Sequence, residues 1–253
     1  MLDAVGEAAQ ALTPYVPTIC GASGEPVVQV DGRDLVQFCT SNYLGLATDS
    51  RVKQAAKDAI DRYGIGTNGS RLISGTLDVH RDLERRIAQI KGTESATLFS
   101  TGTLANLGFL QAVIGHPLRA LWPDVSPVGE IEVFYDGLVH QSLLDGIHLA
   151  APGRARHFKH NDVAGLTRLM DRSNAAYKMV VVVGVYSADG DVAPLDQLVA
   201  LCEDQDALLM VDDSHGTGVL GASGRGTCEL FDVRKTNPSP GERKGGSRKA
   251  TSI

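Results

Sequence analysis

Asp212, Asp213 and His215 stand directly after the apolar run Ala207 to Val211, so two carboxylates and an imidazole are delivered by what reads as a buried strand. A carboxylate in that position is costly to desolvate unless it meets a cation or a hydrogen-bond donor. Two readings fit Asp212: a carboxylate capping the turn, or the counter-charge to a protonated pyridine nitrogen. In the second reading His215, three residues on, reaches an oxygen on the same ring. Ser100-Thr101-Gly102-Thr103 opens an amphipathic stretch. Its backbone N–H groups and helix dipole either receive an anion such as phosphate on Gly102 and Thr103, or the hydroxyls simply cap the helix. His140 follows Val133-Phe134-Tyr135 and the turn Asp136-Gly137. It is either an imidazole lying flat on an aromatic ring or a satisfied structural histidine. Ser187, in Tyr186-Ser187-Ala188-Asp189-Gly190-Asp191, offers a hydroxyl within what is otherwise a plain Asp-Gly turn.

The elements that must position these groups alternate between β-rich and amphipathic runs. Ser95–Ser100 is followed by Thr103–Ile114, Ile131–Tyr135 by Gln141–Leu149, and Ala155–Phe158 by Val163–Met170. Met179–Tyr186 then precedes Leu195–Glu203, and Ala207–Val211 closes the series. Strand, helix, strand in repetition predicts βαβ units and an α/β fold with a mostly parallel sheet covered on both faces. In such sheets ligands bind beyond the carboxyl ends of the strands. The four candidate groups each fall at the end of a different predicted strand, and their convergence on one crevice is a stronger signal than any of them alone. Upstream, Glu25 to Phe38 reads as two short strands around Asp31-Gly32, while Ser50–Tyr63 and Leu77–Ile90 carry helical spacing.

Composition narrows the function classes. A chain of 253 residues, 43% hydrophobic, is long enough for a substantial core. A net charge of −6 argues against nucleic acid or a charged membrane surface as partner, since phosphate binding needs a concentrated basic face. No run of roughly 18 apolar residues predicts a membrane span, and the N-terminus lacks a signal-peptide layout, so the expected location is cytoplasmic. Cys20, Cys39, Cys202 and Cys228 have no CxxC spacing and read as reduced packing residues. His157 and His160 have no second ligand pair nearby and read as surface or structural residues, so no metal site is expected.

From Phe38 to Val233 the chain resembles the α-oxoamine synthases, fold-type-I enzymes of the class II aminotransferase kind that use pyridoxal 5'-phosphate. The likeness is carried by Thr40-Ser41-Asn42-Tyr43-Leu44-Gly45-Leu46, by Gly69-Ser70-Arg71-Leu72-Ile73-Ser74-Gly75-Thr76 with His80 and Leu83-Glu84, and by Thr101-Gly102-Thr103-Leu104-Ala105-Asn106. It continues in His140, in Gly184 to Asp191 with Pro194-Leu195, and in Val211 to Gly218 followed by Gly224-Arg225-Gly226. The resemblance implies that Gly102 and Thr103 hold the cofactor phosphate and His140 stacks on its ring. It implies that Asp212 pairs with the pyridine nitrogen, that Ser187 and His215 lie near the phenolic oxygen, and that Asn42 lies near the substrate. His140, Asp212 and His215 are thus the expected catalytic residues. The implied reaction condenses an amino acid with an acyl thioester, acyl-CoA or an acyl carrier, to an α-amino ketone with loss of carbon dioxide, in a dimer.

Two departures stand against this pattern. Val183 occupies a position that is commonly acidic in relatives, and no apolar strand ending in the family's Schiff-base lysine follows Val233. Lys244 lies 32 residues after Asp212, near the family's spacing, but Asn237-Pro238-Ser239-Pro240 precedes it and cannot form the required buried strand. The expected organisation is therefore an N-terminal segment 1–50 with short strands, a large cofactor-binding domain 51–233, and a disordered basic tail 234–253 in place of the small C-terminal domain. A truncated copy of this kind is expected to be impaired alone. The alternative is a non-catalytic partner or inactive scaffold that dimerises with a full-length paralogue.

Overall fold

The computed structural model describes residues 17–115, 131–233 and 250–252. The chain divides into two compact units, Met1–Ser70 and Arg71–Ile253. The division lies some 20 residues beyond the boundary suggested by composition, because helix α1 (Ser50–Tyr63) belongs with the first unit. The helix follows directly on a 3-10 turn at Leu46–Thr48, and the Asp49 carboxylate caps it by accepting from the Arg51 amide.

The first unit carries an antiparallel sheet of β1 (Ile19–Cys20), β2 (Val27–Val30) and β3 (Arg33–Val36). Val30 pairs with Arg33 across a two-residue turn, with Asp31 at φ 49° and Gly32 at φ 76°. Positive φ at both central residues is what a type I′ hairpin demands, and Asp-Gly supplies it cheaply. Asn42 staples the following loop: its amide donates to the Gly24 carbonyl at 2.7 Å and its oxygen accepts from the Ala47 amide at 3.1 Å.

The second unit contains α2 (Asp78–Lys91), α3 (Gly102–Val113), β4 (Ile131–Asp136), α4 (Gln141–Ala150) and β5 (Ala155–Phe158). Then come α5 (Val163–Asp171), β6 (Tyr177–Val183), α6 (Leu195–Asp204), β7 (Ala207–Asp212), α7 (Thr227–Leu230) and β8 (Ala250–Ser252). The sheet order is β5-β4-β6-β7-β8 and every pairing is parallel. β6, with five consecutive buried residues from Met179 to Val183, is the central strand expected of a continuous apolar run. Phe134, Leu143, Ile147, Leu166, Met170, Leu195 and Leu198 fill the helix–sheet interfaces. After β4 the chain moves outward to β5, then returns past β4 to β6 and on to β7. That reversal makes the carboxyl ends of β4 and β6 a topological switch point, the place where open α/β sheets bind ligands.

The structure corrects three readings. Ser95–Ser100 is not a strand. A β-rich run becomes a strand only with a neighbour to pair with, and here the Leu98 amide donates instead to the Glu84 carboxylate at 3.2 Å. The strand expected over Met179–Tyr186 ends at Val183. At Gly184 a Cβ would approach Thr227 Oγ1 to 2.6 Å, and the chain turns away to close a Val185–Val192 bridge. Finally, Ala250–Ser252, counted in the disordered tail, pairs with Leu209–Val211 as β8. The β7 edge offers unpaired amides and carbonyls, a template that even three residues can satisfy. Lys244 and the rest of 234–249 lie outside the described residues.

Candidate active site

The carboxyl ends of β4, β6 and β7 and the amino end of α3 carry the groups picked out by sequence. At α3, Thr101 is the cap and its Oγ1 accepts from the Leu104 amide at 3.1 Å. Gly102 and Thr103 follow in the first turn, where backbone amides have no intrahelical acceptor, and a Cβ on Gly102 would meet nothing within 4 Å. Both readings of the turn are therefore compatible: the Thr101 hydroxyl caps the Leu104 amide, and the Gly102 and Thr103 amides stay without an intrahelical acceptor at the helix end that favours an anion.

One turn further along α3 is Asn106, 2% exposed and the sole polar residue buried in that helix. Its Nδ2 donates to Asp212 Oδ2 at 3.0 Å and to Ser142 Oγ at 2.9 Å. Ser142 Oγ lies 2.7 Å from His140 Nδ1, and the Ser142 amide donates to the same nitrogen at 3.2 Å, which makes His140 the N-cap of α4. Asp212 is 5% exposed, and its Oδ1 accepts from the Ser214 amide at 3.1 Å and hydroxyl at 2.5 Å. One chain of hydrogen bonds thus joins His140 to Asp212 through Asn106 and Ser142, to which the sequence assigned no role. The signals were present: an isolated Asn in an apolar helix, and a Ser two residues after a capping His.

The Asp212 donors are neutral, so they orient the carboxylate and reduce its desolvation cost without neutralising it. Val183 stands in register beside Asp212, so the neighbouring strand presents an apolar residue there. This is the environment that a protonated ring nitrogen fits. His215 is half-buried on the turn after β7, and Ser187 is exposed on the turn after β6. Asn42 belongs to the other unit.

Asp213 does different work. It is fully buried, and Lys91 Nζ at the end of α2 approaches its Oδ2 to 2.8 Å while also donating to Thr217 Oγ1 at 2.6 Å and to the Arg225 carbonyl at 3.1 Å. Thr227 adds its hydroxyl at 2.7 Å and its amide at 3.2 Å to Asp213 Oδ1. The carboxylate is wrapped by backbone: a Cβ on Gly216 would fall 2.2 Å from Oδ1, and one on Gly226 1.8 Å from Oδ2. Adjacent aspartates therefore divide the labour, Asp213 locking the loop that follows β7 and Asp212 joining the hydrogen-bond chain that leads to His140.

At the switch point His160 bridges two carboxylates, with Nδ1 2.9 Å from Asp136 Oδ1 and Nε2 2.7 Å from Asp191 Oδ2. Its ring meets that of Tyr186 edge-on at 4.4 Å. Burial pushes the imidazole down, but hydrogen bonds and charge from Asp136 and Asp191 outweigh it and hold His160 above its ordinary value. Burial first, and then Asp136, push the Tyr186 phenol well above the usual range. The residue read as surface or structural is thus the tie between the β4 end and the Ser187 turn. Among the described residues no group of His, Cys, Asp and Glu is arranged to hold a metal ion, and no helix is long and apolar enough to cross a membrane.

The family model for aminotransferase class I and II matches residues 33–236, which is most of both units. The chain belongs to that family. It is 45% identical over 225 residues to the 8-amino-7-oxononanoate synthase of Geobacter sulfurreducens, covering 88% of this chain and 54% of that protein. The Geobacter metallireducens protein of the same name is also 45% identical, with 89% and 54% covered. Among solved structures, Sphingomonas wittichii serine palmitoyltransferase superposes with a TM-score of 0.77 at 34% identity, covering 92% of this chain and 56% of that one. These likenesses place the chain on the α-oxoamine synthase branch, with the fold-type-I architecture and pyridoxal 5'-phosphate as the family's cofactor. The chain spans about half the length of the relatives it matches.

Proposed function

We propose that this chain forms the cofactor-binding half of a pyridoxal-phosphate-dependent acyltransferase that joins an amino acid to an acyl thioester. The observation that carries the reading is Asp212: a buried carboxylate at a strand end, held by neutral donors and linked to His140 beside an open helix N-terminus. Bound pyridoxal phosphate supplies an electron sink for carbanion chemistry at the amino-acid α-carbon. In this reading the Gly102 and Thr103 amides receive its phosphate, and His140 covers one face of its ring. Asp212 keeps the ring nitrogen protonated, while Ser187 and His215 bound the phenolic oxygen. Asn42 is assigned to the substrate side. Identity to 8-amino-7-oxononanoate synthases supports acyl transfer over amino-group exchange.

The test is direct. Purified chain is titrated with pyridoxal phosphate, reduced with borohydride and digested, and any pyridoxyl-lysine is located by mass spectrometry. Saturable binding that weakens on Asp212→Asn supports the site; binding unaffected by that change sinks it. A stoichiometric label on Lys244 supports turnover by the chain itself. Binding without a specific lysine label favours the partner reading, which co-purification with a full-length paralogue then tests. Product from amino acid plus acyl-CoA, and not from amino acid plus oxoacid, separates acyl transfer from aminotransfer.

A further inference from the structure

We infer that Asn106 and Ser142 are positioning residues that fix His140 as the tautomer protonated on Nε2 and tether its ring to Asp212. The direction of each hydrogen bond follows from what the groups are able to donate. A carboxylate only accepts, so the Asn106 amide must turn its nitrogen, not its oxygen, toward Asp212 Oδ2 at 3.0 Å. That orientation leaves the second Nδ2 proton for Ser142 Oγ at 2.9 Å, which therefore acts as acceptor there. The Ser142 amide, which can only donate, is aimed at His140 Nδ1 at 3.2 Å and makes that nitrogen an acceptor, so the contact of Ser142 Oγ with the same atom at 2.7 Å is a hydroxyl donating to it. Two donors converge on Nδ1, so Nδ1 is the bare nitrogen and the proton sits on Nε2.

The arrangement buries Asn106 with no hydrogen-bond partner for its Oδ1 among the described residues, a cost that an apolar residue would avoid. Its role toward the cofactor rests on the reading of the site given above. If His140 lies on the ring and Asp212 under its nitrogen, one amide sets the tilt of the first and the orientation of the second. The tautomer itself is independent of that reading.

The experiment uses the full chain labelled with nitrogen-15 in its histidines, without added cofactor, and assigns His140 by comparison with His140→Gln. Long-range nitrogen–proton correlations should show His140 as the Nε2–H form. Ser142→Ala should raise the Nδ1–H fraction by about tenfold, the order expected for losing one hydrogen bond, and Ser142→Thr should restore the parent pattern. An Nδ1–H histidine in the parent, or a tautomer ratio unmoved in Ser142→Ala, overturns the inference. The same variants are titrated with pyridoxal phosphate, where Ser142→Ala should bind about tenfold more weakly with its circular dichroism unchanged. Parent chain showing the expected tautomer but no pyridoxal phosphate binding would uphold the relay and overturn its cofactor role.

Discussion

Asp212 and Asp213 are adjacent and chemically identical, yet the loop after β7 gives them unlike tasks. Asp213 has a cation and a cage of backbone, and breaking such a buried pair leaves a fully buried charge with the Thr227 donors but without its counter-ion. Lys91→Met should therefore destabilise the second unit by about 3–5 kcal/mol, read from urea denaturation. Asp212→Asn removes charge from a group with only neutral donors, and should leave the unfolding free energy within about 1 kcal/mol while weakening pyridoxal phosphate binding roughly ten- to a hundredfold. His160 has a pH signature. Its folded-state value is raised, so its stabilising contribution is fully present below the unfolded imidazole value of about 6.5 and is lost as pH rises through the folded value. His160→Gln should flatten the fall in stability that begins as pH rises past about 6.5; an unchanged pH profile would show that the bridge contributes nothing. The sequence could nominate His140, Asp212, His215 and Ser187 because each ends an apolar run. The roles of Lys91, Asn106 and Ser142 were hidden, since the contacts that define them, Asn106–Ser142, Asn106–Asp212 and Lys91–Asp213, span 36, 106 and 122 residues of the chain.

The elements are legible wherever periodicity coincides with local turn chemistry. Ala155–Phe158 and Ser50–Tyr63 fall where the pattern puts them, and the Asp31-Gly32 hairpin follows from residues that tolerate positive φ. Ser95–Ser100 was misread because β propensity describes a surface that fits a sheet, while the sheet partner is a tertiary fact. Tyr186 was misread as strand because its burial comes from the turn packed over the β6 end, where His160 meets its ring. Turn geometry also sets a sharp mutational test. Gly226 has φ 102° and no room beside Asp213, so Gly226→Ala should cost about 2–3 kcal/mol, whereas Gly102→Ala, facing open space at a helix start, should cost well under 1 kcal/mol in the absence of ligand. Equal losses at the two sites would contradict the cage around Asp213.

Across the whole molecule, the second unit buries its apolar residues between helices and sheet, yet Leu72 and Ile73 remain 92% and 86% exposed. In the first unit Phe38 and Ile65 are 93% and 98% exposed. Side chains of that size left in water favour association, and sedimentation velocity should show the sedimentation coefficient rising with protein concentration. A coefficient constant from micromolar to hundred-micromolar chain would refute this.

The Lys91–Asp213 pair also dictates an order of events during synthesis. It joins residues 122 positions apart, so α2 leaves the ribosome long before the carboxylate that anchors it exists. Closing so long a loop is entropically opposed until the β4–β6–β7 pairings have drawn its ends together. The anchor is therefore a late contact, and Lys91→Met should accelerate unfolding while scarcely slowing refolding. Until Gly226 and Thr227 have emerged, α2 is a helix waiting for its lock, and the interval is set by the speed of translation.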